Sequence, residues 1–313
     1  MNEFLAFNAG EHAPQRLRRK ALELADDAAA RLERLQDDDP KEIHEIRRRF
    51  KELRAMVRLI GHSLPHKGRP EEQWFRGAGR RFAAQRDAKA AIEAFDRLRE
   101  RFAEEWRPRQ FLKIRRALER PARPTDPLIL AQLRAELALE RGRIAAWPVE
   151  AMQPDDLWQA ITRAYRKARR AMEAALSEGT RERFHEWRRR TKVFWYQAQF
   201  FDFLGMAQFG AQIKSLRKLQ RVLGDHHDLV LIDELCQREP ASFGSARYVR
   251  RFRGYLARRM RELEAISESI GEELFQRRAR DWAAAMKSAT GRPRIGPKKS
   301  AVRPPASSLA TAS

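Results

Sequence analysis

The 313-residue sequence is poor in cysteine and in acidic residues, and it lacks long apolar runs. Cys236 is the only cysteine, so a disulfide within the chain is excluded, and we expect a buried thiol in a reducing compartment. No stretch approaches the roughly eighteen apolar residues of a membrane span. The segment MNEFLAFNAGEH lacks the apolar core of a signal peptide. We therefore expect a cytoplasmic protein with no membrane-spanning segment.

The shortage of acidic residues leaves a large positive charge. Lysine and arginine number 65 against 43 aspartate and glutamate, which gives a formal net charge of +22 at pH 7. A charge of this size indicates something about binding partners rather than about the fold. It predicts a polyanionic partner, which could be nucleic acid, an acidic membrane surface or a phosphate polymer. Of these, we expect no membrane partner, because the apolar faces of the helices are needed for packing.

Alternating apolar and polar runs typical of β-strands are also missing, so we predict an all-α protein. Apolar residues recur at spacings of three and four along nearly every long segment. The predicted helices cover residues 15–36, 41–63, 71–106, 126–145, 155–177, 180–204, 206–237 and 243–288. Residues 289–313 are rich in proline, serine and basic residues, which predicts a disordered basic tail.

One basic phrase occurs twice. HEIRRRFK at 44–51 and HEWRRRTK at 185–192 agree at six of eight positions, and the offset of 141 residues continues without a gap over two helices. Apolar positions fall on apolar positions and charged positions on charged ones. We therefore predict one helical domain over 12–286, built from pseudo-symmetric four-helix halves at about 12–146 and 155–286.

The repeated helix segregates its basic residues. At about 100° per residue, one face carries the basic residues His44, Arg47, Lys51, Arg54 and Arg58, apart from an apolar stripe and an acidic side. A solvated helix usually alternates its charges, because opposite charges at this spacing stabilise it by about 0.2–0.5 kcal/mol per pair. Here like charges repel instead. Because the pattern recurs in the second half, we favour an anion-binding face over a solvated surface.

Neighbouring helices carry further basic residues at the same spacing, and we expect the stripes to converge on a central basic trough. Arginine would supply bidentate contacts to phosphate oxygens, and lysine a mobile point charge. The predicted binding residues are His44, Arg47, Arg48, Lys51, Arg54, Arg76, Arg80, His185, Arg188, Arg189, Lys192, Lys214, Arg217, Lys218 and Arg221.

These motifs resemble those of the CHAD domain family of histidine-containing α-helical domains. HEIRRRFKELRAMVRLI (44–60) and RRFAAQRDAKAAIEAF (80–95) are similar to the family's N-terminal motifs. HEWRRRTKVFWYQAQFF (185–201) and IKSLRKLQRVLGDHHDLVLIDEL (213–235) are similar to its C-terminal ones, with AYRKARRAM (164–172) on the helix before them.

The resemblance implies a basic central trough that binds inorganic polyphosphate, in a binding module rather than an enzyme. It implies association with polyphosphate granules, and it requires neither a metal nor an organic cofactor. The sequence departs from the pattern at Trp195 and Gln199, which stand where the first half has Arg54 and Arg58. The triphosphate tunnel domain that accompanies some family members is not expected here.

Two aligned aspartates, Asp87 and Asp228, each follow a cationic or ionisable neighbour. We interpret them as residues that orient the arginine or histidine side chains of the trough through ion pairs, not as general acids. No nucleophile with an adjacent base and no glycine-rich phosphate loop is found, so no catalytic residue is assigned.

Two alternative functions remain open from the residues alone. Nucleic-acid binding would explain the net charge equally well, with tryptophans as stacking platforms, although Trp187 falls on the apolar stripe. An HD-type metal-dependent phosphohydrolase is suggested by LGDHHDL at 223–229. In the repeat, His226 and His227 align with glutamine and arginine, which disfavours a role as metal ligands.

Overall fold

The computed structural model describes residues 12–36, 39–105, 108–119 and 125–289; the side chains of 84–88 and 108–111 lie outside this description. Over these ranges the protein is all-α, which confirms the predicted class. The helices are α1 (Ala13–Arg34), α2 (Pro40–Ile60), α3 (Arg69–Arg80), α4 (Ala83–Arg101), α5 (Pro108–Leu118), α6 (Pro127–Ala145), α7 (Pro154–Glu178), α8 (Arg181–Phe203), α9 (Phe209–Arg238), α10 (Pro240–Phe243), α11 (Ala246–Leu274) and α12 (Ala279–Ser288).

Local signals account for the ends of the two histidine-bearing helices. The Asp39 carboxylate accepts a hydrogen bond from the backbone N–H of Lys41, and Pro40 occupies the first turn of α2. The Thr180 hydroxyl similarly accepts from the backbone N–H of Arg183 and caps α8. Gly179 closes α7 in the left-handed conformation, with φ of 62°, where a side chain would be strained.

The two helices that carry the repeated phrase lie at the centre of the packing. α2 packs against α1 and α3, α8 packs against α7 and α9, and α2 and α8 also contact each other. This order of contacts brings the two basic stripes onto neighbouring helices. The pseudo-two-fold relation between the halves stays a prediction.

The apolar core has two parts, and both draw on both predicted halves. The larger part joins α1, α2, α3, α6, α7, α8, α12 and the first half of α9. The smaller joins α4, α5, α10, α11 and the second half of α9. Cys236 is buried in the smaller part, as expected, and burial raises the pKa of its thiol to about 12.

A buried carboxylate links three helices in the second half. Asp233 of α9 is only 2% exposed and accepts hydrogen bonds from Arg181 of α8 and Arg253 of α11, each at 2.7 Å. Burial alone would raise the pKa of Asp233. The hydrogen bonds from Arg253 and Arg181 outweigh burial and hold it below its usual value.

Two predicted helices are interrupted in the structure, and α5 was not predicted. The single helix expected over 71–106 is broken at Arg81 and Phe82, because Phe82 turns into the core and Arg81 binds Glu136 of α6 at 3.0 Å. α5 was missed because its short amphipathic stretch lies among basic residues and prolines.

The helix expected over 243–288 ends at Leu274, and α12 starts at Ala279. Side chains of α7 accommodate this break, because Arg169 Nε donates to the carbonyl of Phe275 at 3.1 Å and the Tyr165 hydroxyl donates to that of Arg277 at 2.9 Å. These contacts satisfy one carbonyl at the end of α11 and one in the link between α11 and α12. The predicted tail lies outside the described residues apart from Ala289.

Candidate anion-binding groove

A pocket of about 190 Å³ lies between α2 and α8. Its lining is dominated by the basic stripes of the two helices. The basic residues that line it are Arg47, Lys51, Arg54, Arg58, Arg188, Arg189, Arg190 and Lys192. The trough predicted from the sequence therefore has a physical counterpart at this helix pair.

A second pocket, of about 510 Å³, adjoins the first and shares Arg58, Arg190 and Val193 with it. It adds Lys67 from the turn after α2, and Arg163 and Lys167 from α7. We call the two adjoining pockets the basic groove. Eleven cationic side chains line it, whereas Glu72 supplies the only carboxylate among its described lining residues.

Arg54 occupies a desolvated, cation-rich position in this groove. Its side chain is 24% exposed, and its buried Nε donates to no acceptor among the described residues. Burial, followed by the charge of Arg58, lowers the pKa of Arg54 to about 10, and Arg76 adds to the effect. A bound anion here would relieve this unfavourable environment.

Arg47 and Arg188 line the groove, and both also take part in hydrogen bonds to neighbouring helices. Arg47 Nη1 donates to the backbone carbonyl of Gly79 and so ties α2 to α3. On the other wall, Gln220 of α9 donates to the carbonyl of Arg188 at 3.1 Å, and the Arg188 side chain runs beside Gly224. These contacts fix the neighbouring helices against the two central ones.

His44 lies beside the groove in a separate pocket of about 430 Å³ with Lys41, Lys89 and Asp228. Burial and the charge of Lys51 hold the pKa of His44 below its usual value of 6.5. The charge of Lys192 on α8 acts in the same direction.

His185 contacts a second histidine. The Nδ1 atoms of His185 and His227 are 3.2 Å apart. Burial, and then the charges of Arg188 and Arg189, lower the pKa of His185. At neutral pH both repeated histidines are therefore mainly uncharged, and each can take up a proton when a nearby anion favours the charged form.

The structure separates several predicted binding residues from the groove. Arg48 is held by Glu45 and Glu52 of its own helix at 3.2 and 3.0 Å, and it lines neither pocket. Arg189 also pairs with an acid, Glu186, but it remains in the lining.

The basic residues predicted on α3 and α9 are exposed and line neither pocket. These are Arg76, Arg80, Lys214, Arg217, Lys218 and Arg221. The charge of Arg76 nevertheless acts on Arg54. Asp228 lies beside His44 with Arg97 at 3.9 Å, and the side chain of Asp87 is outside the described residues.

Sequence reasoning did not assign five lining residues to the site. Arg58 was on the predicted basic stripe, Arg190 and Lys167 fall within the quoted motifs, and Lys67 and Arg163 were not considered. Burial and the charges of Arg190, Arg58 and Arg163 lower the pKa of Lys167, in keeping with cations that converge from three elements. The three- and four-residue spacing of basic residues on α7 was the available signal.

The described histidines and tryptophans that suggested the two alternative functions are not arranged for metal binding or for base stacking. His226 is buried and lies 2.9 Å from Glu264, whereas His227 contacts His185. Within the described part of the chain, no group of three or more histidine, cysteine, aspartate or glutamate side chains is placed to hold a metal ion. Trp158, Trp187 and Trp282 are buried in the core and offer no exposed stacking face; Trp106 is outside the described residues.

Comparison with known proteins identifies the family. The CHAD domain model matches residues 19–237, more than two-thirds of the chain. A search of curated proteins found no match to this chain. In the ranges that the structure describes, no helix has both the length and the apolar character needed to cross a bilayer. On the extent of the family match, and in agreement with the resemblance of its repeated motifs, the chain belongs to the CHAD domain family.

Proposed function

We propose that this protein binds inorganic polyphosphate in the basic groove and acts as a binding module rather than as an enzyme. The observation that carries the proposal is the convergence of eleven cations on two adjoining pockets that share three lining residues and contain a single described carboxylate. Such an excess is unfavourable in the free protein, and a flexible polyanion would offset it along its whole length.

The groove suits a phosphate chain for two physical reasons. Arginines dominate the lining and can form paired hydrogen bonds to phosphate oxygens, while Lys51, Lys167 and Lys192 can follow a mobile chain. The two pockets also adjoin, so one chain can contact both. We propose that charge density along the polymer sets selectivity and that no metal or organic cofactor takes part.

Nucleic acid would have to use the same cations. Trp158, Trp187 and Trp282 are buried and not available to stack on bases, and the half-buried Trp74 and Trp195 pack against the core. A nucleic acid would therefore bind mainly through backbone electrostatics. We therefore propose that nucleic-acid binding is weak and non-specific, that membranes are not a partner, and that the protein resides in the cytoplasm at polyphosphate granules.

A competition titration at about 0.15 M salt tests the proposal. Long-chain polyphosphate competes against single-stranded DNA and RNA at equal phosphate concentration, with pyrophosphate as a short control. We expect polyphosphate to bind at least about a hundredfold more tightly than either nucleic acid, which corresponds to about 2.7 kcal/mol. Equal competition by all three polymers would refute the proposed selectivity.

A further inference from the structure

Glu72 is unusual because it is an acid in a groove otherwise lined by cations and neutral residues. It stands in the first turn of α3 and is 29% exposed. Its Oε1 accepts a hydrogen bond from Arg58 Nη2 and lies 3.6 Å from Arg54 Nη2. One carboxylate oxygen is therefore shared by two guanidinium groups.

The single carboxylate of Glu72 does not fully pair the guanidinium groups of Arg54 and Arg58. Burial would raise the pKa of Glu72, but the hydrogen bond and charge of Arg58, with the charge of Arg54, lower it. The separation of 3.6 Å between Arg54 and Glu72 exceeds a normal hydrogen bond, and the buried Nε of Arg54 has no acceptor among the described residues. A tetrahedral phosphate offers more acceptor oxygens than one carboxylate, and it could bond both guanidiniums fully.

The position of Arg58 and Glu72 matters for a phosphate chain that occupies both pockets. Arg54 lines the smaller pocket, Arg58 lines both, and Glu72 lines the larger. The carboxylate therefore stands where the pockets join. A polyanion that crosses this point meets a like charge that already holds the arginines it would bind.

Building on the proposed function, we propose that Arg54 and Arg58 form a phosphate subsite at the junction of the pockets and that Glu72 is an internal competitor for it. In the free protein the carboxylate takes the place of phosphate oxygens and limits repulsion between the two arginines. When a phosphate chain binds, it displaces the carboxylate from Arg58. Glu72 thereby weakens the binding of polyphosphate and stabilises the empty groove.

The test compares Glu72→Gln with Glu136→Gln in the polyphosphate titration. Glu136 is a matched control, because it is 26% exposed, pairs with Arg81 and lies outside the groove lining. Both substitutions keep the side-chain shape and raise the net charge by one. We expect Glu72→Gln to bind long-chain polyphosphate about two- to fivefold more tightly than the wild type, the range expected for a partly exposed ion pair. Glu136→Gln should bind like the wild type.

A second comparison tests whether the gain in polyphosphate affinity depends on Arg58. In an Arg58→Gln background the Glu72→Gln substitution should give a smaller gain, because the main hydrogen bond of the carboxylate is already gone. Thermal unfolding of each variant is measured alongside. If Glu72→Gln does not fold, Glu72→Asp, whose shorter side chain cannot reach Arg58 as closely, takes its place.

The outcomes separate this inference from the proposed function. If the wild type binds polyphosphate but Glu72→Gln gains no more affinity than Glu136→Gln, the inference is wrong and the proposed function stands. A lower melting temperature without tighter binding would make Glu72 a structural ion pair only. A gain of equal size with and without Arg58 would also overturn the subsite. If the wild type does not bind polyphosphate, both proposals are refuted.

Discussion

Removal of one lysine from each central helix gives the most direct measurement of how the groove binds. Lys51 of α2 and Lys192 of α8 both line the smaller pocket and are half-buried. Their replacement by glutamine removes two charges from the groove. The apolar faces of both helices keep their packing in the core, so the fold should be little affected.

The expected magnitude follows from the number of cations in the groove. If each neutralised cation contributes about 0.7 to the slope of log K against log salt concentration, as for single-stranded nucleic acids, eleven cations set an upper limit of about 8. Loss of Lys51 and Lys192 should reduce the measured slope by about 1.4. At about 1.5 kcal/mol for each of the two charge-assisted contacts, the lower end of the usual range, affinity should fall at least about a hundredfold.

Fluorescence titrations of long-chain polyphosphate at four or five salt concentrations would measure both quantities. Lys214→Gln with Lys218→Gln is a matched control, because these lysines of α9 are exposed and line neither pocket. It removes the same charge from outside the groove and should change affinity by less than about threefold. The reasoning would be refuted if the control weakened binding as much as the groove pair, since net charge alone would then govern binding.

Three further predictions concern the groove walls, the histidines and the core. Arg47→Gln should lose the hydrogen bond to α3 and lower the free energy of unfolding by about 1–3 kcal/mol, measured by urea denaturation. His44 and His185 have lowered pKa values in the free protein, and a bound anion favours their charged forms. Polyphosphate affinity should therefore rise as pH falls from 7 to about 5.5. Gly271→Ala should destabilise the protein by about 1–3 kcal/mol, because the new Cβ would lie 2.6 Å from Cζ2 of Trp187.

Each of these three has a control and a contradicting result. Arg80→Gln, an exposed arginine of α3, should leave unfolding unchanged, and an Arg47 variant as stable as the wild type would show that the α2–α3 tie is weak. His44→Gln with His185→Gln should flatten the pH dependence, and a slope that persists would assign it to other groups. Gly254→Ala, with open space around its Cβ, should not destabilise the protein, and a Gly271→Ala variant as stable as the wild type would contradict the expected clash with Trp187.

Lowering the pH should change the stability of the free protein in the opposite direction to its affinity for polyphosphate. Because folding lowers the pKa of His44 and His185 below 6.5, the unfolded chain binds more protons as the pH falls through that value. The free protein should therefore lose some stability as pH falls from 7, while the complex gains affinity. Thermal unfolding with and without polyphosphate would separate the two effects.

Most of the helical architecture could be predicted from sequence periodicity. The apolar stripe of α2 and its caps are local features, and the predicted bounds of α6 and α7 differ from the structure by one residue at most at each end. The breaks at Arg81 and after Leu274 could not be predicted. Both depend on side chains from other helices, Glu136 on α6 and Tyr165 on α7, that take up the polar groups exposed there.

The candidate site was predicted in part. The basic stripes of α2 and α8 proved to line a common groove, but the stripe of α9, including Lys214 and Arg217, does not line it. The sequence showed Arg48 as one more cation of the motif. Its pairing with Glu45 and Glu52 is set by side-chain geometry on the same helix, which the spacing of charges does not reveal.

The sequence by itself determined the all-α class, the basic character of the repeated helix and the family resemblance, because helix periodicity and motif spacing are local properties of the chain. Tertiary structure decided which cations meet. Lys167 and Arg54 are far apart in sequence and reach one groove only because α7 packs against α2 and α8. It also decided that Glu72, an ordinary first-turn acid in sequence, lies between two arginines at the junction of the pockets. Interactions between helices depend on packing angles and side-chain directions, and these are properties of the whole fold.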